Sequence, residues 1–168
     1  PLRRLIREDA PDVIPAYASG IQISDADELM SRARLQHHQR FKLKVGFDMA
    51  GDVALVHKIQ GELAANELIA CDANQAWSLE QAKDFIVGIE NVPLHWLEEP
   101  IPVFSAAAEW QSLADHSTIP LAGGENINGY ADFNQAIKAG FLSIIQPDVA
   151  KWGGVSGNLA VARNVLAN

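Results

Sequence analysis

Short apolar runs recur at a nearly constant spacing along this chain of 168 residues. Each run is bounded by turn-forming residues, which is typical of a buried β-strand. The centres of the runs lie about 24 to 28 residues apart, which indicates that the chain repeats one structural unit. The predicted strands are DVIPAYAS (12–19), FKLKVG (41–46), ELIACD (67–72), PLHWLEE (93–99), TIPLAGG (118–124) and LSIIQPD (142–148).

Helical patterns lie between most of these runs. Ser24 with Asp27 resembles a capping box, and Ser78 with Gln81 forms a complete one, so each serine is predicted to begin a helix. Gly140 follows an apolar pattern of helical spacing, as expected for a helix C-cap. Strands and helices are therefore predicted to alternate. The helical patterns cover residues 24–38, 49–64, 78–89 and 130–140.

This alternation predicts an α/β fold with a parallel sheet and helices outside it. An open doubly wound sheet usually carries a glycine-rich first turn, and no G-x-G-x-x-G follows the first run. Charge at the end of nearly every predicted strand is instead typical of a barrel active site. We therefore predict a (β/α)8 TIM-type barrel. A complete barrel has eight units in about 250 residues, so about six βα units are expected in residues 1–168.

Charged residues follow one another at the predicted strand ends. Lys42 and Lys44 are two residues apart, so the alternation of a strand places both ammonium groups on one face. Asp72, Glu98 and Glu125 lie 26 and 27 residues apart, which matches the structural period. Each of these positions alone is more often a turn or a solvated strand end. Their shared spacing places the three carboxylates at equivalent ends of adjacent strands.

Three carboxylates at one point would repel each other unless a cation lay between them. Magnesium suits such a site because it takes oxygen ligands and keeps open positions for water or substrate. The five histidines form no constellation that favours zinc. The residues alone therefore favour a hard divalent cation.

Composition limits the other partners. The formal net charge of −8, with scattered basic residues, argues against nucleic-acid binding. No apolar run approaches the roughly 18 residues of a membrane span. The single cysteine, Cys71, lies in an apolar run, so we expect a buried thiol, a reducing compartment and cytoplasmic localisation. The expected partner is a small molecule.

Five ordered motifs give the sequence a specific resemblance. FKLKVG, DANQAW, WLEEP, GGEN and PDVAKWGG resemble the enolase superfamily and, within it, the mandelate racemase group. The resemblance extends from about Tyr17 to Gly157. It implies that Asp72, Glu98 and Glu125 ligate Mg²⁺.

The same resemblance implies roles for other residues. Lys44, the second lysine of K-x-K, would be the base. Lys42 would lie beside the substrate carboxylate and hold down the pKa of Lys44, and Asn74 would also bind substrate. Asp148 would hold and polarise a histidine on the following strand, expected near position 173, beyond this chain. Lys151 is assigned no chemistry.

The resemblance also implies a domain organisation. Residues 1–168 would be part of the C-terminal barrel domain, strands 1 to 6, without the N-terminal capping domain and the last two barrel units. We expect this segment alone to be inactive. The full-length protein is expected to be a homo-oligomer.

The implied chemistry is Mg²⁺-dependent removal of the proton alpha to a carboxylate, through an ene-diolate. We expect a lyase that dehydrates an acid sugar to a 2-keto-3-deoxy acid. The alternative is an isomerase, a racemase or epimerase of a 2-hydroxy acid, which uses the same residues. A non-catalytic barrel that binds a metal or a partner is an alternative of another class. A lysine–lysine cycloisomerase or amino-acid epimerase is disfavoured by Asp148.

Overall fold

Six parallel strands form one sheet in the computed structural model, which describes residues 2–168. The spatial order of the strands equals their order in the chain, and every neighbouring pair is parallel. The predicted α/β fold is confirmed, and the chain forms six consecutive units of a TIM-type barrel. The strands are β1 (Ala18–Gln22), β2 (Arg40–Lys44), β3 (Leu68–Asp72), β4 (Leu97–Glu98), β5 (Leu121–Gly123) and β6 (Ile144–Ile145).

A helix follows each strand, and one short helix precedes the sheet. None of the helices within residues 2–168 combines the length and apolar content needed to span a membrane. The helices are α1 (Leu2–Ile6), α2 (Ala26–Leu35), α3 (Met49–Glu62), α4 (Leu79–Gly88), α5 (Ala107–His116), α6 (Tyr130–Ala139) and α7 (Gly154–Ala167).

The helix boundaries show which sequence signals were reliable. The hydroxyl oxygen of Ser78 accepts a hydrogen bond from the backbone N–H of Gln81, whose side-chain oxygen accepts one from the N–H of Ser78, so this capping box is confirmed. Gly140 ends α6 in the left-handed conformation, with φ of 72°, as predicted. The prediction that Ser24 begins a helix with a capping box is wrong. Ser24 lies inside a 3-10 turn over Ile23–Asp25, and α2 begins only at Ala26.

The first strand lies later in the chain than the sequence predicts. The predicted run was 12–19, whereas β1 covers Ala18–Gln22. Pro15 has no N–H to donate to a strand ladder, and the apolar side chains of Val13 and Ile14 are exposed rather than buried. These residues therefore belong to a surface segment despite their hydrophobicity, and pairing with β2 starts after them, at Ala18.

The outer face of the sheet carries the main hydrophobic core. Side chains from alternate positions of β2, β3 and β4 pack there against the helices and are at most 1% exposed. Burying one such side chain contributes about 1.5–3 kcal/mol of transfer free energy. The strand residues of this core include Phe41, Leu43, Ile69, Cys71 and Leu97, and the helix residues include Val56, Phe85 and Leu113.

The inner face of the sheet is much less apolar. Ala70, Trp96 and Ala122 form a small cluster there, against which Ile144 packs. Toward the carboxyl ends of the strands, this face carries charged side chains instead. The sheet therefore presents its apolar face to the helices and its charged face to the barrel interior.

Candidate active site

Four charged side chains meet at the carboxyl ends of β2, β3 and β4. The strand register pairs Lys44 with Asp72, and Asp72 with Glu98, so these three positions lie at one level of the sheet. Lys42 precedes Lys44 by two residues and therefore faces the same side. The prediction that both lysines lie on one face of the strand is confirmed, and in the structure this face also carries Asp72 and Glu98.

The ammonium groups and carboxylates of this cluster are in direct contact. Lys42 Nζ lies 2.5 Å from Glu98 Oε1 and 3.1 Å from Asp72 Oδ2, so it bridges the two acids. Lys44 Nζ donates to Asp72 Oδ2 at 2.6 Å. Asp72 and Glu98 are only 1% and 2% exposed, whereas the side chain of Lys44 is 25% exposed. Lys44 is thus the most accessible member of the cluster.

The electrostatics of the cluster follow from these contacts. Burial alone would lower the pKa of Lys42, but its hydrogen bond to Glu98 and the charges of Glu98 and Asp72 outweigh burial and raise that pKa. Burial would raise the pKa of Asp72, but the hydrogen bond from Lys44 and the charge of Lys42 outweigh it and lower that pKa. The buried carboxylate of Asp72 is therefore kept ionised by its two cations.

Glu125 lies beside this cluster and is linked to it through Asn74. The backbone N–H of Asn74 donates to Asp72 Oδ1 at 2.9 Å, and its side-chain amide donates to Glu125 Oε1 at 3.4 Å. Lys151 Nζ lies 3.1 Å from the same oxygen of Glu125. The hydrogen bond and charge of Glu125 raise the pKa of Lys151. Lys151, which sequence reasoning left without a role, is thus the direct cationic partner of Glu125.

The donor set has the chemistry that a hard cation requires. Asp72, Glu98 and Glu125 offer only carboxylate oxygens, and the two buried ones already take an ammonium cation between them. Within residues 2–168, no three acidic, histidine or cysteine side chains are close enough together to hold one ion. The structure therefore brings Asp72 and Glu98 together, whereas Glu125 is linked to them indirectly through Asn74, and the three-ligand magnesium site stays a prediction.

Asp148 occupies the turn between β6 and α7. Its Oδ1 accepts hydrogen bonds from the backbone N–H groups of Ala150, at 2.7 Å, and Lys151, at 3.3 Å. This is the local contact expected of an aspartate that opens a turn. The predicted pairing of Asp148 with a histidine involves a position beyond this chain and stays a prediction.

Sequence reasoning gave no role to two residues that contact Glu98. Trp96 Nε1 donates to Glu98 Oε2 at 3.0 Å, and Gln146 Nε2 donates to the same oxygen at 2.9 Å. The alternation of β4 could have placed Trp96 on the face of Glu98. No comparable signal links Glu98 to Gln146, which comes from two strands away.

Glu99, next in the chain, has a separate environment. It is buried, and its Oε2 accepts from Asn126 Nδ2 at 2.6 Å. Burial raises the pKa of Glu99. Its side chain borders a cavity of about 230 Å³ between α5 and α6, lined also by Trp110 and Ile127. Glu99 is therefore directed away from the charged cluster that contains its neighbour Glu98, which is consistent with the alternation of side chains along an extended chain.

Comparison with known families gives this geometry a context. A model of the family described as enolase C-terminal domain-like matches residues 25–167. The chain belongs to the enolase superfamily. The resemblance to the enolase superfamily that the sequence suggested is therefore confirmed.

Individual members of the superfamily are similar over most of this chain. A curated relative, 3,6-anhydro-alpha-L-galactonate cycloisomerase of Streptomyces coelicolor, is 30% identical over 161 residues, which are 93% of this chain and 44% of the relative. A crystal structure of a mandelate racemase/muconate lactonizing enzyme from Bordetella bronchiseptica is 45% identical, with a TM-score of 0.88 over 92% of this chain and 42% of that one.

A third similar protein was solved with ligands. It is an enolase from Bradyrhizobium complexed with magnesium and mandelic acid, 31% identical, with a TM-score of 0.83 over 92% of this chain and 44% of that one. The present chain thus spans less than half the length of these relatives.

Proposed function

We propose that the full-length protein removes the proton alpha to the carboxylate of a small-molecule substrate, with Mg²⁺ as cofactor. The observation that carries this proposal is the contact of Lys42 and Lys44 with the buried carboxylates of Asp72 and Glu98. Burying charged groups costs free energy. Their presence together at the carboxyl ends of neighbouring strands is typical of a catalytic site rather than of a structural core. Membership of the enolase superfamily supports the same chemistry.

The metal would be held by Asp72, Glu98 and Glu125, whose oxygens are the ligands that Mg²⁺ prefers. When bound, Mg²⁺ supplies positive charge that stabilises the second negative charge developing on the substrate carboxylate. The magnesium in the Bradyrhizobium structure supports this cofactor. The link from Asp72 through Asn74 to Glu125 supports placing all three acids at one site.

The lysines would divide the remaining work. Lys44, the more exposed of the two, would first release its ammonium proton to solvent, and the resulting amine would accept the alpha proton and become an ammonium ion again. Lys42 would keep its proton and donate hydrogen bonds to the substrate carboxylate, because its acidic neighbours favour the charged form. Asn74 would bind a further substrate oxygen through its side-chain amide.

The fate of the ene-diolate would depend on the general acid. We propose that a histidine beyond residue 168, held by Asp148, protonates a departing beta-hydroxyl, so that water leaves and a 2-keto-3-deoxy acid forms. Racemisation or epimerisation of a 2-hydroxy acid is the second candidate, and the mandelic acid of the Bradyrhizobium complex favours it. Either reaction would need the capping domain and the last two barrel units, which we propose for the full-length protein, as a homo-oligomer.

Proton exchange in D₂O tests the proposed function. The full-length protein with Mg²⁺ is incubated with a panel of acid sugars and 2-hydroxy acids, and deuterium incorporation and keto-acid formation are followed. Exchange with keto-acid formation supports dehydration, whereas exchange that only inverts the alpha carbon supports racemisation. Absence of exchange with every substrate, in a protein that binds Mg²⁺, would favour a non-catalytic barrel.

The role of Lys44 can be tested in the same assay. Lys44→Ala should lower the exchange rate by about 10²–10⁴-fold, because a positioned base contributes that much. Magnesium affinity should stay near that of the unchanged protein. Lys58→Ala is the matched control, because Lys58 lies on α3 and pairs with Asp27 instead. Persistent deuterium incorporation in Lys44→Ala would contradict the assignment of the base.

A further inference from the structure

The two oxygens of the Glu98 carboxylate have different partners. Oε2 accepts two hydrogen bonds, from Trp96 Nε1 at 3.0 Å and from Gln146 Nε2 at 2.9 Å. Within residues 2–168, the single hydrogen-bond partner of Oε1 is the ammonium group of Lys42, at 2.5 Å. One oxygen is therefore held by neutral donors, and the other faces a cation.

Packing in the barrel interior fixes the first donor. Trp96 lies two residues before Glu98, so both side chains project from the same face of β4. The indole packs in a cluster with Ala70 and Ala122, whose small side chains leave room for it. Tyr17 packs against it edge to face, with ring centroids 5.1 Å apart. The indole N–H is thus held at one place.

A close approach of two strands fixes the second donor. Gly124 follows β5 with φ of +135°, and a Cβ built there would lie 2.9 Å from the backbone nitrogen of Gln146. Only glycine therefore lets the backbone of Gln146 come this near. The side-chain oxygen of Gln146 is buried and has no hydrogen-bond partner within residues 2–168, so the contact that orients the amide is the one to Glu98.

We propose that Trp96 and Gln146 are positioning residues that hold Oε2 of Glu98 and so present Oε1 to the bound cation. This proposal rests on the proposed function, in which Glu98 ligates Mg²⁺. A buried carboxylate that loses a donor is either left with an unsatisfied oxygen, which is destabilising, or rotates until it reaches another partner. Substitution of a residue that holds a metal ligand in this way typically lowers the metal affinity by about 10–100-fold.

Magnesium titration of the full-length protein tests this role. Trp96→Phe keeps an aromatic ring but removes the N–H, and Gln146→Leu keeps a side chain of similar size but removes the amide. We expect the Mg²⁺ dissociation constant, measured by calorimetry, to rise about tenfold in each variant and up to about 100-fold in the double variant. Dissociation constants within twofold of the unchanged protein, in both folded single variants, would overturn the proposal.

A control separates positioning from packing. Trp110→Phe changes another buried tryptophan, which stacks on Phe141 outside the barrel interior. It should lower the thermal midpoint without changing Mg²⁺ affinity. If Trp110→Phe weakened Mg²⁺ binding as much as Trp96→Phe did, the effect would be general loosening of the fold, and the proposal would be wrong.

A last variant distinguishes this proposal from the proposed function itself. Glu98→Gln should weaken Mg²⁺ binding more than either positioning variant. If Glu98→Gln leaves Mg²⁺ affinity unchanged, the ligand assignment fails, and the positioning role fails with it. If Glu98→Gln weakens binding but the Trp96 and Gln146 variants do not, only the positioning role is overturned.

Discussion

The outer and inner faces of the sheet are built from alternate residues of the same strands, yet they contribute to different properties of the protein. Leu43 and Leu97 point outward into the apolar core, whereas their neighbours Lys44 and Glu98 point inward. The outer residues are stabilised by removal of apolar area from water. The inner residues must instead compensate for the loss of water around their charges.

This difference separates the residues that maintain the fold from those that form the site. A buried ion pair seldom adds as much stability as well-packed apolar residues of similar volume. The Lys42, Asp72 and Glu98 contacts are therefore poor candidates for the main source of stability. Substitutions at adjacent positions of one strand should consequently have opposite consequences, and each prediction below tests that contrast.

The largest expected effect is on activity, at Glu98. In the full-length protein, Glu98→Gln should lower Mg²⁺-dependent turnover by about a thousandfold or more, because a metal ligand supports several kcal/mol of transition-state stabilisation. The protein should remain folded, because Lys42 still pairs with Asp72. Glu90→Gln, on the exposed surface, is the control and should leave turnover intact. Unchanged activity of Glu98→Gln at saturating Mg²⁺ would contradict the assignment.

The adjacent residue should affect stability instead. Leu97 is fully buried in the outer core, and Leu97→Ala should lower the free energy of unfolding by about 2–5 kcal/mol through lost burial and a residual cavity. Urea unfolding measures this loss. Mg²⁺ affinity of the folded fraction should change little. A variant that keeps full stability but loses Mg²⁺ binding would show that the two faces are not separable.

An ion pair outside the barrel interior should have a smaller effect. Both oxygens of Glu67 accept from the guanidinium of Arg34, at 2.7 and 2.8 Å, and this lowers the pKa of Glu67. A lowered folded-state pKa adds stability above the ordinary value of 4.5 and loses it as pH falls through the folded-state pKa. Arg34→Met should therefore cost about 1 kcal/mol or less at pH 7.

The pH dependence supplies the check on this pair. The stability difference between Arg34→Met and the unchanged protein, measured by urea unfolding, should shrink as the pH is lowered below 4.5. Arg32→Met is the matched control, because Arg32 is largely exposed and its ion pair with Glu28 is long, at 3.9 Å. A difference that is constant between pH 7 and pH 3 would contradict a role for the Glu67 charge.

The smallest expected effect concerns Cys71, on the outer face beside Asp72. Burial raises the pKa of its thiol, which removes the reactive thiolate at neutral pH. The native protein should therefore show almost no reaction with a thiol reagent, while the urea-unfolded protein reacts fully. Rapid modification of the native protein would show that the outer core opens far more easily than its packing implies.

The sequence predicted those features that depend on local pattern. A period of about 26 residues requires one strand and one helix per unit, and the observed order of strands follows from it. The alternation of Lys42 and Lys44 placed both on one face of the strand without knowledge of the register. The first strand was misplaced because Val13 and Ile14 are hydrophobic but exposed, and hydrophobicity alone does not report burial.

Contacts between distant strands were the part that sequence could not supply. The hydrogen bond from Gln146 to Glu98 joins residues 48 positions apart, on strands that are not neighbours. The ion pair from Lys151 to Glu125 depends on how the loop after β6 folds back. Both contacts follow from the curvature of the sheet and the course of its loops, which no local pattern encodes.

The packing of Trp96 between Ala70 and Ala122 has a consequence for any redesign of the barrel interior. A larger side chain at either alanine would need a smaller one at position 96 to fit the same volume. That compensating exchange would take away the indole that reaches Glu98. The size of the side chains on β3 and β5 is thereby tied to the orientation of the carboxylate on β4, so repacking this part of the interior would also change the hydrogen bonding of Glu98.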